Sequence, residues 1–246
     1  MNERQFYDMV GLINGWDFSQ LQVEREDVCW DFYDEVSKRV RPDMHILDIG
    51  VGSGEKLLEH ASLFRHVTGI DQSEVMIQKA EENKRKACIT NSTFLQMEAE
   101  TLDFLDNHFD MVTCRHAPFH AEEVFRVLCK DGIFLTQQVS EADKLNIKKA
   151  FGRGQGNDWN DGELMQRYCE DLKNAGFAQV DTFTYDAKEY YKRQEDLLYL
   201  LEHTPIIPDF RKYIFDEEIF NQFVHQNQTS KGILTNEKRF MIIARK

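Results

Sequence analysis

The chain has 246 residues, with 30 Lys and Arg against 43 Asp and Glu, giving a formal net charge of −13. That excess of acid speaks against a binder of naked nucleic acid, whose affinity comes from clustered Lys and Arg neutralising phosphates. Apolar residues at 41% with only four prolines fit a globular chain, and no apolar run approaches the ~18 residues that a membrane span needs. The stretch from Met1 to Val10 lacks the basic and apolar regions of a signal peptide, so a cytoplasmic protein is expected, with no membrane partner.

Residues 1–41 are polar and threaded with aromatics: Phe6, Tyr7, Trp16, Phe18, Trp30, Phe32 and Tyr33. Val28, Phe32 and Val36 recur at helical spacing and predict a helix over 24–40, stopped by Pro42. Short apolar runs then alternate with amphipathic segments. Strands are predicted at 45–49, 67–70, 93–97, 109–114 and 133–139, and helices at 54–62, 73–87 and 121–129. Ser73 is placed to cap the second of these helices, and Asp131-Gly132 to turn the chain into the strongest strand. A helix over 161–174, stopped at Ala175-Gly176, precedes the last two strands, 177–185 and 239–244. Seven strands alternating with helices predict an α/β fold, a doubly wound, mostly parallel sheet.

The stretch between Tyr185 and Lys238 breaks this rhythm. Leu197, Leu198, Leu200 and Leu201 form one amphipathic pattern; Tyr213, Ile214, Phe220, Phe223 and Val224 form another. The predicted organisation is an N-terminal helical lid (1–41), a core made of 42–185 and 238–246, and a helical insertion at 186–237 that caps an acceptor pocket.

The five cysteines are odd in number, widely spaced and without a C-x-x-C pair, so neither a disulfide framework nor a thiolate zinc site is expected. His116 and His120 stand four apart, but Pro118 lies between them and no carboxylate follows at a metalloprotease spacing; no metal is predicted.

The chemistry concentrates at Asp48-Ile49-Gly50-Val51-Gly52-Ser53-Gly54, between a predicted strand and a predicted helix. Glycines there let the backbone approach a ligand closely. A dinucleotide fingerprint starting at Gly50 would require glycine at 55, where Glu55 would oppose a pyrophosphate, so NAD is disfavoured. The pattern D-x-G-x-G-x-G led by Asp48 resembles instead that of class I S-adenosylmethionine (SAM)-dependent methyltransferases, and the likeness extends over 44–145.

The resemblance implies a Rossmann-like fold with SAM as cofactor. Gly50, Gly52 and Gly54 would wrap the methionine part of SAM, and Asp71, ending the second strand at the usual distance of ~20 residues, would hold the ribose hydroxyls. Gln72 and Met76 would flank adenine and ribose, and Glu98-Ala99 would meet the adenine amino group, with Glu98 where the family commonly has Asp. Phe109-Asp110-Met111-Val112 matches the family's fourth strand. The end of that strand, Arg115-His116, lies where the acceptor meets the methyl group. His116 is a base candidate because imidazole titrates near neutrality, or else it brackets the adenine or bonds backbone. Arg115 can bind cofactor or an acidic acceptor, or pair with a carboxylate of the insertion. Gln137 and Gln138 are unusual in a buried strand, and Gln138 is a candidate to orient an acceptor; the plainer reading is bonding to neighbouring loops.

The runs Arg115–Phe119, Glu122–Leu128 and Phe134–Val139 resemble a bacterial branch of these enzymes whose acceptor is not established. Residues 115–150 are also similar to bacterial 23S ribosomal RNA guanine-N1 methyltransferases, but those carry an N-terminal four-cysteine zinc module, of which this chain has only Cys29. The leading expectation is a methyltransferase of a small molecule. The alternatives are an RNA base methyltransferase with a basic groove near Arg115 and Arg153, and a non-catalytic SAM-binding regulatory module.

Overall fold

In the computed structural model, which describes residues 18–246, nine strands form one mixed sheet. In chain order the elements are β1 (Val23–Glu26), α1 (Phe32–Ser37), β2 (His45–Ile49), α2 (Glu55–Glu59), β3 (His66–Asp71), α3 (Glu74–Lys86), β4 (Ser92–Gln96), β5 (Phe109–Arg115), α4 (Ala121–Val127), β6 (Leu128–Val139), α5 (Leu145–Phe151), α6 (Glu163–Ala175), β7 (Gln179–Tyr191), α7 (Gln194–His203), α8 (Asp216–Asn227), β8 (Gln228–Thr229) and β9 (Gly232–Arg245). The sheet order is β1-β7-β9-β6-β5-β2-β3-β4, with β8 paired to β9. Strands β4, β3, β2, β5 and β6 pair in parallel, whereas β9 runs antiparallel to both β6 and β7.

The parallel strands read as continuous apolar runs because helices cover both faces. One face packs Val112 and Phe134 against Val124 of α4 and Leu172 of α6; the other packs Ile46 and Met111 against Phe32 of α1, Leu57 of α2 and Ala80 of α3. A third apolar cluster joins Ile147 of α5, Leu201 of α7 and Phe220 of α8 to Tyr191 and Ile233. The predicted cap at Ser73 is present: its hydroxyl accepts the Met76 N–H at 3.2 Å.

Several predicted boundaries move. The helix expected over 24–40 is shorter, because Val23–Glu26 instead pairs antiparallel with the far half of β7; α1 starts at Phe32, where the Asp31 carboxylate caps the N–H groups of Tyr33 and Asp34 at 2.9 and 3.1 Å. The rest of the predicted lid, with Phe6, Tyr7 and Trp16, lies outside the described residues. Asp131-Gly132 is a bulge inside β6 and not its start: Phe109 pairs with Leu128 but Met111 with Ile133, and Asp131 takes φ 62°. Strands β7 and β9 run on to Tyr191 and from Gly232, paired along their full length, so the insertion is confined to 192–231. The polar residues on these extensions hid them, because their alternation was masked by charges that the fold pairs across strands.

Candidate functional site

The strand order reverses between β2 and β5, so the loops leaving their carboxyl ends diverge and open a crevice, the place where open α/β sheets bind ligands. The loop after β2 is shaped almost entirely by backbone bonds. The N–H groups of Gly50 and Val51 both reach the Ile70 carbonyl at 2.9 Å, and the Gly52 N–H donates to the Asp71 carboxylate at 2.9 Å. Gly50 has φ 72°, a region in which side chains are strained, and a Cβ there would lie 2.2 Å from the Ala117 Cβ. The loops after β2 and β5 therefore touch at this glycine. Gly52 has φ 56° and a Cβ on it would meet nothing within 4 Å, so its backbone faces open space.

Asp71, at the end of β3, receives N–H groups from two directions: Gly52 on Oδ2 and Ser73 on Oδ1, each at 2.9 Å. Its carbonyl also accepts the Met97 N–H at 3.0 Å, tying the β4 exit to the same point. Asp48 is only 3% exposed and accepts the Thr113 hydroxyl at 2.6 Å. Burial pushes its carboxyl up to about 7, against the Thr113 bond and the nearby Arg115 cation, with Asp71 adding to the rise.

At the β5 end, Arg115 is exposed, with its guanidinium 5.9 Å from the Tyr33 ring centroid. His116 takes φ 58°, its N–H bonds the Gln137 carbonyl at 2.8 Å, and its Nε2 lies 3.1 Å from the Gln137 amide nitrogen. Gln137 Oε1 in turn accepts the Trp30 indole N–H at 2.9 Å, and the Trp30 ring packs edge-on to Tyr185 at 4.6 Å. Burial, then the Arg115 and Arg239 cations, hold His116 well below the usual imidazole range.

Beyond the end of β6, the β7–β9 extension carries a buried ion network. Lys144, 2% exposed, pairs with Glu189, 1% exposed, at 2.5 Å. Glu189 also meets Arg25 of β1 at 2.9 Å; Arg25 reaches Glu237 at 3.0 Å; and Arg239 joins Glu237 at 3.2 Å and Asp143 at 2.6 Å. Burial works against the Arg239 charge, but Asp143 and Glu237 more than offset it and raise its pKa.

The crevice thus brings together Asp48, Gly50, Gly52, Asp71, Arg115 and His116. Gly54 stands at the start of α2 with φ 72°. Gln72 lies beside Asp71, its carbonyl accepting the Gln96 side-chain amide at 3.1 Å, and Glu98 and Ala99 follow β4, with Glu98 exposed and Ala99 packed on the core. Met76 is buried, at 3% exposure. Gln138 is buried with its amide nitrogen bonded to the Ala117 carbonyl and the Thr136 hydroxyl, each at 2.8 Å, which is the plainer of the two readings of its sequence position. Arg153, proposed for a basic groove, is instead held by both oxygens of Asp216 at 2.7 and 2.8 Å and packs 4.6 Å from the Tyr213 ring centroid. Sequence reasoning missed Lys144, Glu189, Glu237 and Arg239 as a group. The only trace was Glu189, at the same period-2 positions of β7 as Ala187 and Tyr191; Lys144, Glu237 and Arg239 come from other segments.

Among the described residues no group of three or more His, Cys, Asp or Glu can hold a metal ion, and no helix is long and apolar enough to cross a membrane. A family model described as a methyltransferase domain matches residues 41–204. An uncharacterized methyltransferase, YcgJ of Bacillus subtilis (strain 168), is 35% identical over 102 residues, which is 39% of this chain and 40% of that protein. The ubiquinone/menaquinone biosynthesis C-methyltransferase UbiE of Agrobacterium fabrum is 32% identical over 127 residues, 47% of this chain and 49% of that protein. The chain thus spans less than half of the length of these relatives. The crystal structure of YcgJ superposes with a TM-score of 0.63 over 87% of this chain and 97% of that one, at 19% identity, which is a likeness of fold.

Proposed function

Because the chain belongs to the methyltransferase-domain family and shares its class I, SAM-dependent fold, we propose that it binds SAM in the crevice between β2 and β5 and transfers the methyl group to a small molecule. One arrangement carries this reading: the Gly50–Gly54 loop leaves open backbone at Gly52 while Asp71, at the end of the neighbouring strand β3, receives the Gly52 N–H beside the switch point. A carboxylate offers about four lone-pair sites, and the Gly52 and Ser73 N–H groups orient both oxygens of Asp71. Such an oriented carboxylate is suited to ribose hydroxyls, with Gln72 and Met76 beside it on the adenine side and Glu98-Ala99 at the β4 exit.

Bound SAM supplies an electrophilic methyl on a positively charged sulfur. The residues of this chain then have positional work. Gly50 and Ala117 fix the distance between the two loops, Asp48 braces the β2–β5 seam through Thr113, and Arg115 sets positive charge at the mouth. Orientation and exclusion of water can supply most of the rate in a displacement of this kind.

Two observations favour a small acceptor over RNA: the net charge of −13 and the complete engagement of Arg153 by Asp216. Calorimetric titration with SAM tests the first half of the proposal. Transfer of labelled methyl into a metabolite extract, before and after nuclease treatment, tests the second. Incorporation that disappears with nuclease would make RNA the acceptor, and saturable SAM binding without incorporation into any fraction would make the chain a regulatory SAM-binding module.

A further inference from the structure

The hydrogen-bond chain Trp30–Gln137–His116 fixes which atom of the imidazole carries the proton. An indole N–H can only donate, so the atom of Gln137 that it meets at 2.9 Å is the amide oxygen. The other arm of that amide is an NH2 group, also only a donor, and it faces His116 Nε2 at 3.1 Å. Nε2 must therefore present its lone pair, and a neutral imidazole with an unprotonated Nε2 carries its hydrogen on Nδ1. The backbone holds the pair in register, since the His116 N–H bonds the Gln137 carbonyl at 2.8 Å. A general base needs a free lone pair; here one ring nitrogen has its lone pair engaged and the other already holds a proton.

We propose that His116 serves methyl transfer as a fixed hydrogen-bond donor through Nδ1, offered to a carbonyl or carboxylate oxygen of the acceptor, with Trp30 and Gln137 as positioning residues that set its tautomer. The inference rests on the methyltransferase reading and gives its acceptor a chemical class, a small molecule bearing such an oxygen. The surrounding charges agree. Arg115 ends β5 and Arg239 lies on β9, the latter already paired with Asp143 and Glu237, and both cations disfavour the doubly protonated imidazolium and so keep the ring neutral. Tyr185, across from Arg239 on β7, packs on the Trp30 ring. In the transfer itself the acceptor atom forms the new bond to carbon, the carbon–sulfur bond breaks with its electron pair going to sulfur, and any proton the acceptor loses goes to solvent and not to His116.

The test reads the ring directly. In the full chain labelled with 15N-histidine, long-range proton–nitrogen spectra, assigned by the signal lost in His116→Asn, are expected to show Nδ1 protonated and Nε2 as an acceptor, unchanged between about pH 6 and 8. An Nε2–H tautomer, or a ring that titrates in that range, would overturn the proposal. Gln137→Glu replaces the amide donor by a second acceptor and is expected to move the proton to Nε2; Trp30→Phe frees the amide to rotate and is expected to mix the two tautomers. For the donor role, His116→Asn, which keeps an N–H, is expected to retain labelled methyl transfer into the metabolite extract within a few-fold, while His116→Ala loses at least about tenfold. An alanine variant as active as the parent sinks the donor role. Failure of the parent to bind SAM would instead refute the methyltransferase reading, and the spectra would still decide the tautomer.

Discussion

The two halves of the sheet are held together by different physics. From β2 to β5 the crevice is shaped by backbone: N–H groups of Gly50, Val51, Gly52 and Ser73 converge on Ile70 and Asp71, and the chain segments involved lie within a few tens of residues of one another. From β6 outwards the wall is made by side chains from distant segments, Trp30 on Gln137, Arg25 on Glu189 and Glu237, Lys144 on Glu189. A backbone-built site can hold one ligand through wide sequence change, whereas a side-chain-built wall can be rewritten pair by pair. The proposed function would place SAM on the backbone-built half and the acceptor against the side-chain-built wall.

The largest effect is expected on the side-chain half. Lys144→Met leaves Glu189 buried without its ammonium partner and is expected to cost about 3–5 kcal/mol in urea unfolding. Adding Glu189→Leu removes the buried carboxylate that Lys144→Met leaves with Arg25 alone at 2.9 Å, and since Arg25 keeps Glu237 at 3.0 Å, the double variant is expected to be more stable than Lys144→Met alone. A double variant that is worse than the single would show that the network holds the wall through geometry and not through charge balance.

On the backbone half the corresponding lesion is steric. Gly50→Ala sets a methyl 2.2 Å from the Ala117 Cβ at φ 72°, and overpacking with left-handed strain together cost about 3 kcal/mol. Its partner substitution is Ala117→Gly, which removes the clash and leaves only the strain of ~1–2 kcal/mol. Thermal unfolding of the two variants measures this, and calorimetry should show SAM affinity returning with the same partner. Asp71→Ala, which removes two oriented oxygens without filling the crevice, is expected to weaken SAM binding by about 10- to 100-fold while changing unfolding less than either lesion above.

This division also explains what was legible in the sequence. The glycine loop, the strand runs before and after it, and the Ser73 cap depend on neighbours in the chain, and their spacing alone places them. Trp30 and Gln137 are 107 positions apart and neither flanking sequence encodes the other. The extensions of β7 and β9 went unread because Lys188, Glu189 and Glu237 break the apolar alternation. In the folded chain the two strands pair, and the charges of Glu189 and Glu237 are met by Arg25 of β1, by Lys144 and by Arg239. The first part of the helix predicted over 24–40 is strand for a related reason: β1 is strand only because the far half of β7 offers it a partner, so its local pattern carries no strand signal, while the helix itself forms at Phe32–Ser37.

A pH dependence separates the halves more finely. Asp48 sits on the seam with its carboxyl raised to about 7, whereas an unfolded aspartate titrates near ~3.9. Between those values the folded chain holds a proton that the unfolded chain has released, so stability falls as pH rises from about 4 to about 7 and is level above that. Asp143, on the side-chain half, runs the other way: burial alone would raise it, but Arg239 and Lys144 lower it, so its contribution is present above the unfolded value and is lost only as pH falls toward its lowered folded value. Melting temperatures of the parent and of Asp48→Asn, which still accepts from Thr113, are expected to diverge progressively from pH 4 to pH 7 in favour of the variant. A constant gap across that range would mean that the carboxylate is already ionised in the fold.

The smallest effect compares two helix caps, Ser73 of α3 and Asp31 of α1. Ser73 accepts the Met76 N–H and Asp31 those of Tyr33 and Asp34, and replacing either cap by Ala typically costs about 1 kcal/mol. Their consequences for binding should differ. Helix α3 carries Met76 and stands beside Asp71, so Ser73→Ala is expected to lower SAM affinity modestly along with stability. Helix α1 carries Tyr33 beneath Arg115 and follows directly on Trp30, so Asp31→Ala is expected to leave SAM affinity within about twofold while loosening the Trp30–Gln137 bond, as read by faster exchange of the indole N–H. If Asp31→Ala weakened SAM binding as much as Ser73→Ala does, α1 would belong to the cofactor half, and the boundary between the two halves would have to be moved from β5 to the N-terminal segment.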